Sequence, residues 1–175
     1  MDELAGSRLV VVRHACAGDK QAWKGADAER PLDDGGMAQA RALVPLLAGA
    51  GVRRLVTSPT VRCTQTLQPL SRQIHVAIER SDLLCPDGSV LDLLEREWAS
   101  QSGTVICTHG EVMLPLLARV RAQGARIVGE RLDDEWLLTK ASVWHLTFDE
   151  EGRVIELRHE APLPLPDCGV HADSG

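Results

Sequence analysis

The chain has 175 residues, a formal net charge of −6 and ordinary proportions of apolar and charged residues, which suits one domain with one buried core. Its acidic balance and the lack of a Lys/Arg run disfavour binding to a nucleic-acid polymer. The longest apolar runs are only a few residues long, and the start Met1-Asp2-Glu3 has no leader character. We therefore expect neither secretion nor contact with a membrane.

Five cysteines are spread along the chain without a CxxC pair. They are Cys16, Cys63, Cys85, Cys107 and Cys168. An odd number without paired spacing argues against a disulfide framework and against a zinc cluster. We expect reduced thiols in a cytoplasmic protein, and no metal site.

Strand-like apolar runs alternate with helical patterns, which predicts an α/β fold with several parallel strands. The valine-rich run at residues 8–13 predicts the first strand. Residues 15–31 then form a loop with Gly18, Gly25 and several charges but few apolar side chains. The length of this loop indicates a function beyond connection.

The first helix is predicted to begin after Asp33, because Asp is a favoured N-cap and apolar residues recur behind it at three- and four-residue spacing. Gly51 is predicted to end this helix, and Pro45 to kink it. A second strand is predicted at residues 52–57.

The dipeptide that follows, Ser58-Pro59, predicts an N-cap with proline at the first helical position, and the helix is predicted to reach about Arg72. The later elements are predicted in chain order: a short strand at 74–78, a mostly helical return at 86–100, a strand at 104–108, an amphipathic helix over 112–120, and a hairpin of 142–148 with 153–159. We expect a single domain over residues 1–161 and a proline-rich tail at 162–175 without structure of its own.

Three predicted strands are each followed by an Arg or a His. The sequences are Arg13-His14-Ala15 after the first strand, Arg62 after the second, and His109-Gly110 after the fourth. Ligands of open α/β sheets bind at the carboxyl ends of the strands. If the three strands are parallel neighbours, two arginines and two histidines converge beside helix N-termini that offer N–H groups to an anion. Arginine offers a fork of donors to phosphate oxygens, so this pattern predicts a phosphate pocket.

Each of these motifs is weak alone. An Arg-His pair is expected in roughly one chain in three of this size. A histidine after a strand is usually structural, and an arginine in the first turn of a helix is usually exposed. The prediction depends on the conjunction at three strand ends in order. The remaining histidines are interpreted as structural, surface or edge residues: His75, His145, His159 and His171.

Together the motifs resemble those of the histidine phosphatase (phosphoglycerate mutase-like) superfamily. Its Arg-His-Gly, Ser-Pro-x-x-Arg-x-x-Gln-Thr and late His-Gly correspond to 13–15, to 58–66 and to 109–110. The resemblance covers about residues 9–120. It implies a three-layer sandwich in which helices flank a mostly parallel central sheet.

Within the superfamily, Ala15 in place of glycine, Ala17, and residues 29–36 are similar to the small phosphohistidine phosphatases. They are equally similar to the histidine-phosphatase domains fused to Nudix hydrolases. The Trp-Lys-Gly loop of those domains resembles Trp23-Lys24-Gly25.

The resemblance implies a mechanism in which neutral His14 attacks phosphorus, while Arg13, Arg62 and His109 bind the equatorial oxygens. A phosphohistidine forms and water hydrolyses it, without a metal or another cofactor. The substrate-binding residues expected around this centre are Ala15, Ser58, Gly110, Lys24 and Arg30.

The sequence departs from the superfamily at the general acid. Many members place a glutamate shortly after the third strand, where this chain has Cys85. The candidate substitutes are Asp87, Asp82, Glu79 and Glu111. Without an acid, the enzyme prefers leaving groups that depart unprotonated, such as phosphohistidine, nucleotide phosphoanhydrides and aryl phosphates. Sugar phosphates are then poor substrates.

Three functions are left open by these residues. The favoured function is hydrolysis of protein phosphohistidine, and the alternatives are hydrolysis of nucleoside di- or triphosphates or other phosphoanhydrides, and non-catalytic binding of a phosphorylated ligand. A cysteine phosphatase is excluded, because no cysteine has an arginine six positions after it. Cys16 is interpreted as an inert thiol near His14. The expected partner is the phosphorylated protein or nucleotide, and the sequence does not specify an oligomeric state.

Overall fold

The structure is a computed structural model that describes residues 8–49, 51–88, 103–129 and 139–160. Seven strands form one sheet in the order β3-β2-β4-β1-β6-β7-β5. They are β1 Arg8–Arg13, β2 Arg54–Thr57, β3 Ile78–Arg80, β4 Thr104–Thr108, β5 Arg126–Val128, β6 Val143–Phe148 and β7 Val154–Glu160. The first four strands in this order are parallel, β6 is antiparallel to β1 and β7, and β5 is parallel to β7.

Helices cover both faces of the sheet. They are α1 Asp34–Leu47, α2 Val61–Ile74 and α3 Gly110–Ala122, with short 3-10 turns at Asp27–Glu29 and Asp82–Leu84. Along β1, Leu9 and Val11 pack into the core on the α3 side, while Val10 and Val12 pack on the side of α1 and α2. This two-residue alternation buries β1 on both faces. The predicted α/β sandwich with a mostly parallel sheet is confirmed.

The N-terminus of α1 is as predicted, since the Asp33 carboxylate accepts a hydrogen bond of 2.7 Å from the Gly36 N–H. The predicted C-terminus at Gly51 is wrong. The helix ends at Leu47, where the Ala48 N–H closes the last turn on the carbonyl of Val44. Gly49 follows, and glycine is costly in a helix interior.

The N-cap predicted for α2 at Ser58 is wrong, because Thr60 is the N-cap and Pro59 lies outside the helix. The Ser58 hydroxyl contacts His109 instead. The strand predicted at residues 74–78 is also wrong. Ile74 is the last residue of α2, where it packs against the core, and β3 begins only at Ile78.

The hairpin of β6 and β7 is confirmed, and the three-residue strand β5 beside it was not predicted. The predicted helical return beyond residue 88 and the predicted tail at 162–175 lie outside the described residues. Among the residues that are described, no helix is long and apolar enough to span a membrane.

Candidate active site

The carboxyl ends of β1, β4 and β2 lie side by side, which brings the three predicted motifs together. The His14 N–H continues the ladder by donating to the Thr108 carbonyl at 3.0 Å. The Ser58 N–H donates in the same way to the Cys107 carbonyl at 3.1 Å. Because backbone pairing extends one residue past each strand, the side chains of His14, Ser58 and His109 start from fixed positions.

His14 is buried, with only 4% of its surface exposed. Its Nδ1 lies 2.8 Å from the Ala15 carbonyl oxygen, which can only accept, so Nδ1 carries the proton and Nε2 carries the lone pair. Burial lowers the pKa of His14 well below its usual value, and the charge of Lys140 lowers it further against the opposing bond to Ala15. The ring is therefore neutral at neutral pH, as a nucleophile must be.

His109 faces His14 edge-on, with 5.3 Å between the ring centroids. Its Nε2 lies 2.9 Å from the Ser58 hydroxyl and its Nδ1 lies 3.4 Å from a terminal nitrogen of Arg62. Ser58 therefore orients the ring of His109, although the sequence predicted that Ser58 would cap α2. Nδ1 faces the Arg62 guanidinium.

Arg62 lies in the first turn of α2 and is 4% exposed. One terminal nitrogen donates to the Asp27 carbonyl oxygen at 2.6 Å, and the other to the Asp27 carboxylate at 2.9 Å. The same carboxylate accepts from Arg30 at 3.0 Å. Partial burial raises the pKa of Asp27, but the bonds and charges of Arg30 and Arg62 outweigh it and hold the pKa below its usual value.

Asp27 therefore joins two of the predicted arginines, and the sequence analysis gave it no role. The i,i+3 spacing to Arg30 is a local signal for one of its ion pairs, but Arg62 lies 35 residues away, where no local signal could have identified it. Arg30 also donates to the Ala17 carbonyl at 2.7 Å. This bond fastens together the two ends of residues 15–31, the active-site loop.

The Arg13 guanidinium passes over the N-terminus of α3. A Cβ placed on Gly110 would lie 3.1 Å from the guanidinium carbon, tighter than an ordinary van der Waals contact. The absence of a side chain at Gly110 therefore lets Arg13 lie against the first turn of the helix. The structure thus groups His14, Arg62 and His109 by direct contacts and Arg13 through Gly110.

The Gln and Thr of the second motif hold the backbone beside His14. The Thr66 hydroxyl accepts from the Ala15 N–H at 3.0 Å and donates to the Arg62 carbonyl at 2.8 Å. Gln65 accepts from the Leu32 N–H at 2.8 Å, near the end of the active-site loop. Both side chains link α2 to the loop, so they support the pocket without entering it.

The four carboxylates considered as a general acid differ in their surroundings. Asp82 and Asp87 are exposed, and among the described residues no hydrogen bond or ion pair joins either of them to His14, Arg62 or His109. Glu79 is paired with Arg54 at 2.7 Å, and the hydrogen bond from Arg54 lowers its pKa.

Glu111 lies nearer to the pocket, in the first turn of α3. Partial burial raises the pKa of Glu111, but its own backbone N–H, His109, Arg13 and Lys140 outweigh burial and hold the pKa below the usual value. It is ionised at neutral pH, so it has no proton to donate. Cys85, at the position of the superfamily's acid, lies 3.8 Å from the Ser58 hydroxyl.

Lys24 is exposed, whereas Trp23 forms part of a cavity of about 270 Å³ in the active-site loop. The cavity is lined mainly by apolar groups, together with the charged residues Arg30, Asp19 and Asp33. The indole N–H donates to the Ala26 carbonyl at 2.9 Å, which fixes the ring while 38% of Trp23 stays exposed.

The cysteines differ in part from the sequence prediction. Cys63, Cys85 and Cys107 are free thiols, but Cys16 is disulfide-bonded, and its partner lies outside the described residues. The prediction of five reduced thiols is therefore wrong for Cys16. The described residues contain no group of three or more His, Cys, Asp or Glu side chains that could hold a metal ion.

The chain is similar to a known protein family and to individual proteins of that family. The model of the histidine phosphatase superfamily (branch 1) matches residues 9–85. The 8-oxo-(d)GTP phosphatase of Mycolicibacterium smegmatis is 37% identical over an alignment 145 residues long, and the match covers 75% of this chain and 44% of the relative. The chain therefore spans less than half the length of that relative.

Solved structures share the fold. The protein histidine phosphatase SixA complexed with tungstate is 23% identical, with a TM-score of 0.64, and the match covers 84% of this chain and 92% of SixA. The putative phosphohistidine phosphatase SixA from Nakamurella multipartitia is 24% identical, with a TM-score of 0.62, and the match covers 93% of this chain and all of that one (100%). At these identities the likeness establishes the three-layer architecture.

Proposed function

We propose that this chain, which belongs to the histidine phosphatase superfamily, hydrolyses phosphoryl compounds through a phosphohistidine formed on His14. One observation carries the proposal. The His14 ring is buried, has a lowered pKa and donates a hydrogen bond from Nδ1–H to the Ala15 carbonyl, so the Nε2 lone pair is available to attack. A structural histidine would use both ring nitrogens for hydrogen bonds.

The reaction has two displacements at phosphorus. In the first, the Nε2 lone pair forms a bond to phosphorus, and the bond to the leaving group breaks with its electron pair on that group. In the second, a water oxygen attacks the phosphohistidine, the N–P bond breaks, and neutral His14 is restored as inorganic phosphate leaves. The proton released by the water passes to solvent or to the phosphate.

Charge in the transition state lies on the three equatorial oxygens, where Arg13, Arg62 and His109 are proposed to bind. The planar forks of the two arginines suit pairs of phosphoryl oxygens. Each fixed donor of this kind typically contributes about 10²- to 10³-fold to the rate. The two arginines would supply the neutralisation that a metal ion supplies in other phosphohydrolases.

Ser58 has a specific part in this scheme. With Nδ1 of His109 facing Arg62, the imidazole donates from Nε2 to Ser58. When a phosphoryl oxygen takes the place near Nδ1, Nε2 releases its proton to solvent and Nδ1 takes up a proton from solvent or from the phosphoryl group. The hydroxyl of Ser58 then turns to donate to Nε2, and Nδ1–H donates to the oxygen. Since a hydroxyl can donate or accept, this change of tautomer needs no movement of heavy atoms.

The arrangement favours leaving groups that need no protonation. The ion pair of Glu79 with Arg54 and the lowered pKa of Glu111 support this preference, because neither carboxylate has a proton to donate. Protein phosphohistidine, phosphoanhydrides and aryl phosphates all meet this condition. Protein phosphohistidine is the first candidate, because its imidazole departs as a neutral group when the ring nitrogen that is not bonded to phosphorus already carries a proton.

Nucleotides are the second candidate, and the Trp23 cavity is the observation that favours them. It lies within reach of the pocket, since Ala17 on its wall follows His14 by three residues, a span of at most about 11 Å. An exposed, fixed indole suits stacking of a base. The 37% identity to an 8-oxo-(d)GTP phosphatase supports the same class.

The test is a substrate panel with the wild-type chain and His14→Ala. It contains an aryl phosphate, a phosphohistidine peptide, nucleoside di- and triphosphates and a sugar phosphate. We expect turnover of the first three classes, little of the sugar phosphate, and loss of all turnover in His14→Ala. His75→Asn is the matched control, because His75 is exposed at the end of α2 with φ of 58°, a conformation that asparagine tolerates.

The outcomes separate the alternatives. Equal rates for the wild type and His14→Ala would exclude the nucleophile. Binding of phosphate without turnover of any substrate would leave a non-catalytic binding module. A Trp23→Ala variant that raises KM for nucleotides but not for the phosphohistidine peptide would show that the Trp23 cavity binds the nucleotide base.

A further inference from the structure

The turn before β6 lies against the nucleophile. The Ala141 N–H donates to the His14 carbonyl at 3.3 Å, and the Arg13 N–H donates to the Ser142 carbonyl at 3.0 Å. Ala141 is fully buried and has φ of 60°, so the backbone bends sharply where it meets the strand end. Lys140 precedes this bend, and its half-buried side chain starts beside the end of β1.

We propose that Lys140 binds the phosphoryl dianion of the substrate, as a fourth cation of the pocket formed by Arg13, Arg30 and Arg62. The inference rests on the proposed function for the position of that group. It goes beyond the motif residues, because the sequence around Lys140 carries no phosphate-binding pattern. The end of β1, which lies beside Lys140 in the fold, is far from it along the chain.

The backbone bond from Ala141 to His14 brings Lys140 to this pocket, and the charges that act on its ammonium group belong to the pocket as well. It interacts with Arg13 from β1, with Arg30 from the active-site loop and with Arg62 from α2. It also acts on the His14 ring. The carboxylate that opposes these cations is Glu111 from α3. A lysine placed only for stability would not lie among three arginines, since like charges repel.

The net charge of the pocket side chains gives the Lys140 ammonium group a role in binding a dianion. Around the pocket the described side chains include the four cations and two carboxylates, Asp27 and Glu111, which leaves an excess of two positive charges. A phosphoryl group that is attached through one bond and fully ionised carries two negative charges. Without Lys140 the excess is one, which suits a monoanion such as a phosphodiester or a sulfate ester.

The environment of Lys140 also makes its charge sensitive to pH. Burial lowers its pKa most, Arg13 and Arg30 lower it further, Glu111 opposes them, and the result is a pKa of about 8. The ammonium form is therefore present at neutral pH and is lost as the pH rises through that value. A bound dianion favours the ammonium form, so binding and protonation of Lys140 are linked.

The experiment measures binding of tungstate, an oxyanion that stays divalent over the range used, by calorimetry from about pH 6.5 to about pH 9.5. We expect the wild type to bind more weakly above about pH 8, by up to roughly tenfold. Lys140→Met should bind roughly tenfold more weakly at neutral pH, with no alkaline loss. Lys140→Arg should keep tight binding at every pH, because an arginine stays charged.

Two controls guard the interpretation. Lys20→Met removes an exposed lysine of the active-site loop and should leave both affinity and pH profile unchanged. Thermal melts should show that the Lys140 variants are folded. An unchanged affinity in Lys140→Met, or an alkaline loss that persists in Lys140→Arg, would overturn the inference. Because calorimetry needs no turnover, binding through Lys140 in a chain that hydrolyses nothing would refute the proposed function alone.

Discussion

The two walls of the pocket are built in different ways. The sheet wall consists of His14, Ser58, Arg62 and His109, which follow the carboxyl ends of β1, β2 and β4 and are each at most 4% exposed. The loop wall consists of residues 17–31, and its charged centre, Asp27, has a side chain that is 42% exposed. Backbone ladders position His14 and Ser58 of the first wall and the first turn of α2 carries Arg62, whereas side-chain bonds position the second wall.

This difference divides the work of the site. A reacting nitrogen must be held within a fraction of an ångström, and a sheet provides such precision because its hydrogen bonds and core packing act together. A loop fastened by ion pairs can adjust its charge and shape to the rest of the substrate. The Asp27 carboxylate, shared between Arg62 and Arg30, is where the two walls meet.

The largest expected effect comes from exchanging arginine for lysine on each wall. Arg62→Lys keeps the charge but loses the fork that binds oxygens on the sheet wall, so kcat/KM should fall about 10²- to 10³-fold. Arg30→Lys, on the loop wall, should cost only severalfold, because it acts mainly through Asp27 and the Ala17 carbonyl. Steady-state kinetics with an aryl phosphate measure both. Equal losses in the two variants would show that the walls are not distinct.

A smaller effect is expected where the loop wall meets α1. A Cβ on Gly36 would overlap the Cys16 carbonyl, so Gly36→Ala should lower the free energy of unfolding by about 1–3 kcal/mol. Gly35→Ala is the control. Its new Cβ meets only the Asp33 carboxylate at 3.3 Å, and alanine favours a helix. Denaturant unfolding compares them, and a stable Gly36→Ala would mean that the loop does not depend on this close approach.

The smallest effect is expected at the carboxylate shared by the two walls. Asp27→Asn removes a negative charge while its backbone carbonyl still accepts from Arg62. Inorganic phosphate should therefore inhibit more strongly, by roughly fivefold, the size of one partly exposed charge interaction. The gain should shrink in high salt, because exposed charges are screened. Weaker inhibition in Asp27→Asn would instead show that the Asp27 carboxylate acts mainly by orienting Arg62.

Much of the scaffold follows from local patterns in the sequence. The alternation at Leu9, Val10, Val11 and Val12 identifies a strand buried on both faces, and the Asp33 cap identifies the start of α1. The boundary between a helix and a strand was predicted wrongly where helix and strand signals competed for the same residues. Ile74 fits a strand by composition, but it belongs to α2 because it packs against the core.

The convergence of His14, Arg62 and His109 could be anticipated as well, because parallel strands place their carboxyl ends at one edge of a sheet. Their chemical roles remain predictions that the panel above tests. The tertiary structure alone decided the contacts of Ser58, Asp27 and Lys140. Ser58 could have capped a helix, and its partner His109 is 51 residues away. The partners of Asp27 and Lys140 come from different elements, and only the folded sheet brings those charges close enough to act on one another.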